Sequence, residues 1–180
     1  MVYVFFADGF EESEALVPID LLRRSGVEVR TVGITGKMVT GAHQVMMAAD
    51  ILPEEMELSQ AEMIFLPGGM PGTEHLRQSM VVDQAMDYCI AHDLYMAAIC
   101  AAPSVFYGKG LLNSKKVSCH TSVEGKMPKA EIVKTPFSVQ GRIITGRGMG
   151  AALPFGLELC RILKGEETVE KVKQAICYAG

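Results

Sequence analysis

One cysteine, Cys100, stands where a short apolar run, "LYMAAIC", gives way to the helical pattern "AAPSVFYGKGLL". A nucleophilic cysteine needs such a position, because its thiolate must be exposed, stabilised and close to groups that bind developing charge. Ala101 and Ala102 are small enough for the sulfur to sit on a tight strand-to-helix turn, and the helix N-terminus that follows is expected to lower the thiol pKa. The alternative is an inert, packed cysteine, the usual outcome for a lone cysteine in an apolar run.

Carboxylates follow the first apolar run, in "VYVFFADGFEESEALVP". Acidic residues are common in a first helical turn, where they interact favourably with the helix dipole, and this alone explains Glu11 and Glu12. Glu14 differs because Pro18, four residues later, removes the usual hydrogen-bond donor to its carbonyl. The helix is therefore expected to be irregular here, as if the placement of the Glu14 side chain mattered more than helical regularity.

A glycine pair and a histidine follow two other apolar runs. In "FLPGGMPG", Gly68 and Gly69 allow a tight turn whose N–H groups could bind an anion or an oxyanion, although Gly-Gly is also a plain turn. The run is neither a Walker loop nor G-x-G-x-x-G, so phosphate binding has little support. His120 ends a predicted strand, "KKVSCH", and Cys119 is expected to point to the opposite face. A cysteine, a histidine and a carboxylate at strand ends have the general layout of an activated thiol.

The elements that must position these residues are short runs rich in Val, Ile and Phe, which alternate with helical segments. This alternation predicts one α/β sandwich domain over residues 1–180, with a mostly parallel sheet covered by helices on both faces. Sites in such folds lie at the carboxyl ends of the strands, where the residues above fall. A hairpin or edge strands are expected around Gly36 and Gly41, and further strand pairing with a turn at Gln140 and Gly141.

Composition excludes several classes of function. The chain has 49% hydrophobic and 21% charged residues, which is typical of a globular protein, and its net charge of −4 comes without a Lys/Arg cluster for a nucleic acid. No apolar run approaches the ~20 residues that span a membrane, and the N-terminus does not resemble a signal peptide. Five cysteines without a C-x-x-C predict neither a zinc site nor a thioredoxin-like site. Reduced thiols in a cytoplasm are the simplest expectation.

With these residues assembled, the chain resembles the ThiJ/PfpI superfamily, and within it the branch of the Parkinsonism-associated deglycase and its bacterial relatives. The similarity runs in order from "VFFADGFEESEALVPIDLLRRSG" through "FLPGGMPG" and "AAICAAP" to "GRGMG" and the final helices. The motifs are individually short but specific together, and they cover nearly the whole chain. The resemblance implies a flavodoxin-like three-layer sandwich that forms a homodimer.

The resemblance also implies roles for the site residues. Cys100 matches the family's reactive cysteine, Glu14 the glutamate that hydrogen-bonds to its sulfur, and His120 the nearby histidine. The backbone amides of the family's anion pocket correspond to those of Gly69 and Ala101, with Gly68 alongside. A protonated Glu14 would stabilise the thiolate as a hydrogen-bond donor and so depress the thiol pKa.

Two departures from the family pattern matter. The protease-like branch carries a histidine immediately after its cysteine, and Ala101 at that position disfavours peptidase or amidase activity. Thr121 stands where the human relative has a proline, so this loop is expected to shape the pocket differently. The match around "GAHQVMM" is looser, and no functional role is assigned to His43.

Two functions of different class fit these residues. The first is a cofactor-independent, metal-free glyoxalase or deglycase in which Cys100 attacks methylglyoxal, glyoxal or their early adducts on proteins or nucleotides, Glu14 moves the proton, and the cell is protected from carbonyl and oxidative stress. The second is a redox-sensing or chaperone-like homodimer whose Cys100 oxidises to a sulfinate. The same residues serve both, so the sequence leaves the choice open.

Overall fold

The computed structural model describes residues 1–179. The strands within this range are β1 (Val2–Phe6), β2 (Val29–Gly33), β3 (Met38–Thr40), β4 (Met46–Ala48), β5 (Met63–Leu66), β6 (Tyr95–Ile99), β7 (Lys116–Val117), β8 (Glu131–Ile132), β9 (Phe137–Gln140) and β10 (Ile143–Gly146). The α-helices are α1 (Glu12–Arg24), α2 (Gly72–Gln78), α3 (Met80–Ala91), α4 (Pro103–Gly108), α5 (Thr121–Glu124), α6 (Ala152–Lys164) and α7 (Glu166–Ala175). None of these helices is long and apolar enough to cross a membrane.

A six-stranded sheet with the order β2-β1-β5-β6-β10-β9 forms the centre of the molecule. Its first five strands are parallel, and β9 joins β10 as an antiparallel edge strand. Counted along the chain, the parallel strands follow the order 2-1-3-4-5 of flavodoxin-like folds. The direction of the strand order reverses between β1 and β5, and sites in open α/β sheets lie at such a point.

Helices cover both faces of this sheet. Residues of β1 are buried along its whole length, as expected of a central parallel strand with helices on each side. On one face Phe6 and Phe65 pack in a cluster with α1, α6 and α7, and on the other Phe5 and Leu66 pack with α3 and α4. The predicted three-layer α/β sandwich is therefore confirmed.

One expectation about the sheet was wrong. The run "KKVSCH" forms only the two-residue strand β7, which pairs with β8 outside the six-stranded sheet. The place beside β6 is taken by β10, whose residues 143–146 pair with 96–99. His120 therefore does not end a strand of the central sheet and instead caps the start of α5.

Other details agree with the sequence or extend it. The expected hairpin is formed by β3 and β4, and β9 and β10 pair around Gly141, whose φ is 64°. Pro18 lies inside α1, which continues through it, so the expected irregularity does not break the helix. Gly156 of α6 lets that helix approach closely, since a Cβ there would stand 2.9 Å from Cα of Pro18.

Candidate active site

Cys100 occupies a strained turn between β6 and α4. Its φ is 65°, a left-handed conformation that residues other than glycine seldom adopt. The turn is held from both sides, because the N–H of Cys100 donates to the carbonyl of Gly146 (2.9 Å) and its carbonyl accepts from the N–H of His120 (2.8 Å). The side chain is half-buried at the edge of a cavity. The tight strand-to-helix turn that the sequence predicted is therefore present, and the nucleophilic role of the sulfur stays a prediction.

Glu14 comes to Cys100 from the first turn of α1. Glu11, the residue immediately before α1, caps this helix, since its Oε2 accepts from the N–H of Glu14 at 2.6 Å. Glu14 is 1% exposed, and within residues 1–179 its Oε2 has no partner with full hydrogen-bond geometry. Burial raises the pKa of Glu14 to about 7, although a side-chain interaction with Cys100 acts in the opposite direction and lowers this pKa. A carboxyl with this pKa can both give and take a proton near neutral pH.

The thiol and the carboxyl are coupled. Burial raises the pKa of the Cys100 thiol, and the charge of an ionised Glu14 raises it further. The backbone N–H groups of Gly69 and Ala101 act in the opposite direction and lower this pKa. The sequence predicted a low pKa for the Cys100 thiol, but this pKa is raised when Glu14 is ionised. The thiolate is favoured when the shared proton lies on Glu14.

The glycine pair after β5 makes room for this arrangement. A Cβ at Gly68 would stand 2.5 Å from Cβ of Cys100, so only glycine fits between the elbow and the carboxyl. Gly69 has a φ of 93°, which aims its N–H toward the sulfur side of the turn. The carbonyl of Gly68 accepts from the N–H of Glu11 at 2.9 Å, which ties the turn after β5 to the turn after β1.

His120 reaches the same cavity from the loop after β7. Its Nδ1 accepts from the N–H of Ser122 (3.2 Å) and lies 2.9 Å from Oγ of Ser122, so the proton of the neutral ring is on Nε2. Within residues 1–179 no hydrogen bond joins the imidazole to Cys100. The backbone of His120 supports the elbow, and a catalytic role for its ring stays a prediction.

The comparisons with known proteins relate the chain to one protein family. Residues 1–162 match the model of the DJ-1/PfpI family. This chain belongs to the DJ-1/PfpI family. It is 33% identical over 174 residues to the protein DJ-1 homolog B of Arabidopsis thaliana. The aligned part makes up 95% of this chain but 40% of that relative. It is 28% identical over 171 residues to the glutathione-independent glyoxalase DJR-1.2 of Caenorhabditis elegans, covering 94% of this chain and 91% of the relative.

The fold also matches solved structures of DJ-1 proteins. The structure of oxidized Toxoplasma gondii DJ-1 superposes with a TM-score of 0.94 at 31% identity, covering 99% of this chain and 98% of the other. The chain thus spans most of this relative and of the nematode one but less than half of the plant one.

Several residues that line the cavity of this DJ-1/PfpI chain were not singled out from the sequence. The cavity measures about 670 Å³, and its lining includes Lys134, Pro136 and the loop of Arg147 to Ala151. This loop borders Glu14, since a Cβ at Gly148 would stand 3.6 Å from Oε1 of Glu14. The signal for the loop was present, because "RGMG" directly follows the run "RIITG". Lys134 carried no such signal, since it lies on an irregular segment.

A second missed feature of the DJ-1/PfpI site is an ion pair beside the cavity. Oε1 of Glu12 accepts from the N–H of His43 (2.8 Å) and of Val45 (3.4 Å), and Oε2 lies 2.9 Å from Nδ1 of His43. Burial would raise the pKa of Glu12, but these bonds outweigh it and the pKa is lowered, while the bond to Glu12 raises the pKa of His43. Glu12 thus holds the β3–β4 turn against α1 and does more than complement the helix dipole.

The same side chains have the spacing of a metal site. One oxygen each of Glu11 and Glu12 and one ring nitrogen of His43 lie within 4.8 Å of one another. The hydrogen bonds that Glu12 already accepts, and the cap that Glu11 gives to α1, explain this grouping without an ion. The two carboxylates are engaged in holding the backbone.

Proposed function

We propose that this protein is a cofactor-independent, cysteine-dependent glyoxalase or deglycase that acts on methylglyoxal, glyoxal and their early adducts on proteins or nucleotides. The observation that carries the proposal is the buried Glu14 carboxyl, whose pKa is raised to about 7 beside the elbow of Cys100. Isomerising an α-oxoaldehyde needs a nucleophile for the aldehyde and one group that removes and returns a proton near neutral pH. The similarity to a nematode protein named as a glutathione-independent glyoxalase supports the same reaction class.

The proposed reaction begins when the sulfur of Cys100 attacks the aldehyde carbon and forms a hemithioacetal. The N–H groups of Gly69 and Ala101, which interact with the sulfur, would stabilise the developing oxyanion. Glu14 then removes the proton from the former aldehyde carbon and returns it to the neighbouring carbon through an enediol. The product is a thioester of the 2-hydroxy acid, and one water molecule hydrolyses it to lactate and regenerates the thiol.

The experiment that tests this function measures lactate formed from methylglyoxal by the purified protein. We expect Cys100→Ala and Glu14→Gln each to abolish turnover, and Cys177→Ala to retain it, because Cys177 is an exposed thiol far from the cavity. Absence of turnover in the wild type, or activity retained in Cys100→Ala, would overturn the proposal.

A second candidate function is redox sensing by Cys100 in a homodimer. The half-buried sulfur faces two backbone N–H groups that could hold a sulfinate, and the Toxoplasma gondii DJ-1 structure described as oxidized is a close structural neighbour. This function predicts that mild peroxide adds two oxygen atoms to Cys100 before the other cysteines, and that light scattering detects a dimer. A wild type without glyoxalase turnover but with this selective oxidation would favour the sensor.

A further inference from the structure

The cavity beside Cys100 is larger than a three-carbon aldehyde requires. Its volume of about 670 Å³ falls within the range of roughly 300–1,000 Å³ typical of pockets that enclose drug-sized ligands. A methylglyoxal molecule bound at the sulfur would leave most of this space to water. The volume indicates a substrate with a further group beyond its reacting carbonyls.

Charged residues of both signs line the cavity. Glu11 and Glu14 belong to the α1 side, and Lys134 and Arg147 are the two Lys/Arg residues of the lining. The N–H of Arg147 donates to the carbonyl of Pro136 at 2.9 Å, which brings the two cationic segments side by side. An anionic ligand that binds at Cys100 would therefore share the cavity with two positive side chains.

Lys134 and Arg147 have N–H groups that are open to further hydrogen bonds. Within residues 1–179 the side chain of Lys134 makes no hydrogen bond or ion pair, and it is exposed toward the cavity. Among the described residues the Arg147 guanidinium pairs with the carboxylate of Glu124, at 3.6 Å between Nη2 and Oε1, which is longer than a hydrogen bond. The Arg147 side chain is 29% exposed, and an anionic ligand in the cavity would offer Lys134 and the exposed part of Arg147 the acceptors that charge-assisted hydrogen bonds need.

We propose that the substrate is an α-oxoaldehyde carrying an anionic group, a carboxylate or a phosphate, which Lys134 and Arg147 bind while Cys100 attacks the aldehyde carbon. This inference rests on the proposed function and names the substrate class of the same site. The net reaction adds one water: the aldehyde carbon is oxidised to a carboxylate, the adjacent ketone carbon is reduced to a secondary alcohol, and the anionic group is unchanged. Dioxovalerate would give hydroxyglutarate, and hydroxypyruvaldehyde phosphate would give phosphoglycerate.

The test compares kcat/KM for dioxovalerate, for its neutral methyl ester and for hydroxypyruvaldehyde phosphate. We expect the wild type to prefer an anionic aldehyde over the ester by about tenfold or more, because a charge-assisted contact has about this effect on affinity. The stronger of the two anionic substrates identifies carboxylate or phosphate. Lys134→Gln should remove most of this preference through KM, so that kcat/KM falls more for the anionic aldehyde than for the neutral ester.

Two variants sharpen the comparison. Arg147→Lys keeps the charge and should reduce the preference less than Arg147→Gln, whereas Lys126→Gln, on an exposed residue outside the cavity, should leave every rate unchanged. Equal rates for dioxovalerate and its ester, or equal losses on all substrates in Lys134→Gln, would overturn the inference while leaving the glyoxalase function intact.

Binding separates the inference from the proposed function. Titration calorimetry of hydroxyglutarate and phosphoglycerate with Cys100→Ala needs no turnover. Lys134-dependent binding of either anion without turnover in the wild type would keep the anion site and overturn the glyoxalase function. Turnover of methylglyoxal with no binding of either anion would overturn the anion site alone.

Discussion

Gly68 packs directly against the Glu14 carboxyl beside the thiol, since a Cβ at position 68 would stand closer than 3.0 Å to Oε2 of Glu14. The same Cβ would lie 2.5 Å from Cβ of Cys100 and 3.0 Å from the carbonyl oxygen of Ile99. The turn after β5 therefore fixes the distance between the two groups that share a proton. Its role is steric as well as electrostatic.

Gly68→Ala should consequently displace the carboxyl or the elbow. We expect a loss of about 1–3 kcal/mol in the free energy of unfolding, as in other overpacked interiors. Lactate formation should fall by about a hundredfold, the order expected when reacting groups move by an ångström. Denaturant titration and the rate of methylglyoxal turnover measure the two effects.

The matched control is Gly125→Ala, because a Cβ at Gly125 meets nothing within 4 Å and its φ of −68° suits alanine. This variant should keep both stability and turnover. If Gly68→Ala behaved like Gly125→Ala, the close approach to Glu14 would not constrain the site.

Glu14→Gln should change how stability depends on pH. The pKa of Glu14 is about 7 in the folded protein against an ordinary value of 4.5, so the folded state binds more protons between these values. The free energy of unfolding of the wild type should thus fall as pH rises through this window and level off above it. Glutamine stays neutral, so the variant should gain roughly 2–4 kcal/mol relative to the wild type between pH 4.5 and 8. Denaturant titrations across this range measure the difference, and a constant difference would contradict the raised pKa.

Glu12→Gln should show the opposite dependence. The pKa of Glu12 is lowered in the folded protein, so the ionised carboxylate contributes stability above its unfolded pKa, and this is lost as pH falls through the folded pKa. We expect the variant to be about 1 kcal/mol less stable at neutral pH, with a deficit that shrinks in acid. Hydrogen exchange should quicken at the amides of His43 and Val45, which bond to Glu12.

Glu170→Gln provides the reference for this comparison, since Glu170 pairs with Lys173 on the exposed face of α7. It should alter stability by less than about 0.5 kcal/mol at any pH. Unchanged exchange at His43 and Val45 in Glu12→Gln would mean that the β3–β4 turn is held by its own backbone.

Much of the site could be predicted because its residues directly follow buried strands. The apolar runs of β1, β5 and β6 are unmistakable, and Glu14, Gly68 and Cys100 come just after them. The carboxyl ends of adjacent parallel strands meet at one edge, so local pattern sufficed to bring these residues together.

The rest depended on competition between distant segments. The run before His120 has the composition of a strand, but β10 takes the position beside β6, a choice that no local pattern encodes. Lys134 lies two residues before Pro136, whose carbonyl accepts from the N–H of Arg147, and this contact between separate segments has no signal in the local sequence. The thiol pKa could not be inferred either, since it depends on whether Glu14 holds the shared proton.

Ser104 connects the elbow to a cation on α2. Nη2 of Arg77 donates to Oγ of Ser104 (2.7 Å), Nη1 donates to its carbonyl (3.0 Å), and Oγ of Ser104 donates to the carbonyl of Ala101 (2.7 Å). Ser104 is 3% exposed, so removing its hydroxyl leaves Nη2 of Arg77 without this partner and takes from the carbonyl of Ala101 one of the two hydrogen bonds that it accepts from Ser104. Ser104→Ala should cost about 1–3 kcal/mol of stability and slow the alkylation of Cys100 by iodoacetamide.

A double-mutant cycle decides whether this chain of bonds acts on the elbow as a unit. Ser104→Ala combined with Arg77→Gln should be less destabilising than the sum of the single changes, with a coupling of about 0.5–3 kcal/mol, because both remove the same interaction. Ser104→Thr retains the hydroxyl and should restore the alkylation rate. Arg142→Gln, which breaks the exposed pair with Asp93, should leave alkylation unchanged. Only a bond that orients the Ala101 peptide affects the reactivity of the neighbouring sulfur. Additive losses of stability, or normal alkylation of Cys100 in a less stable Ser104→Ala variant, would therefore mean that the contact is ordinary packing between α2 and α4.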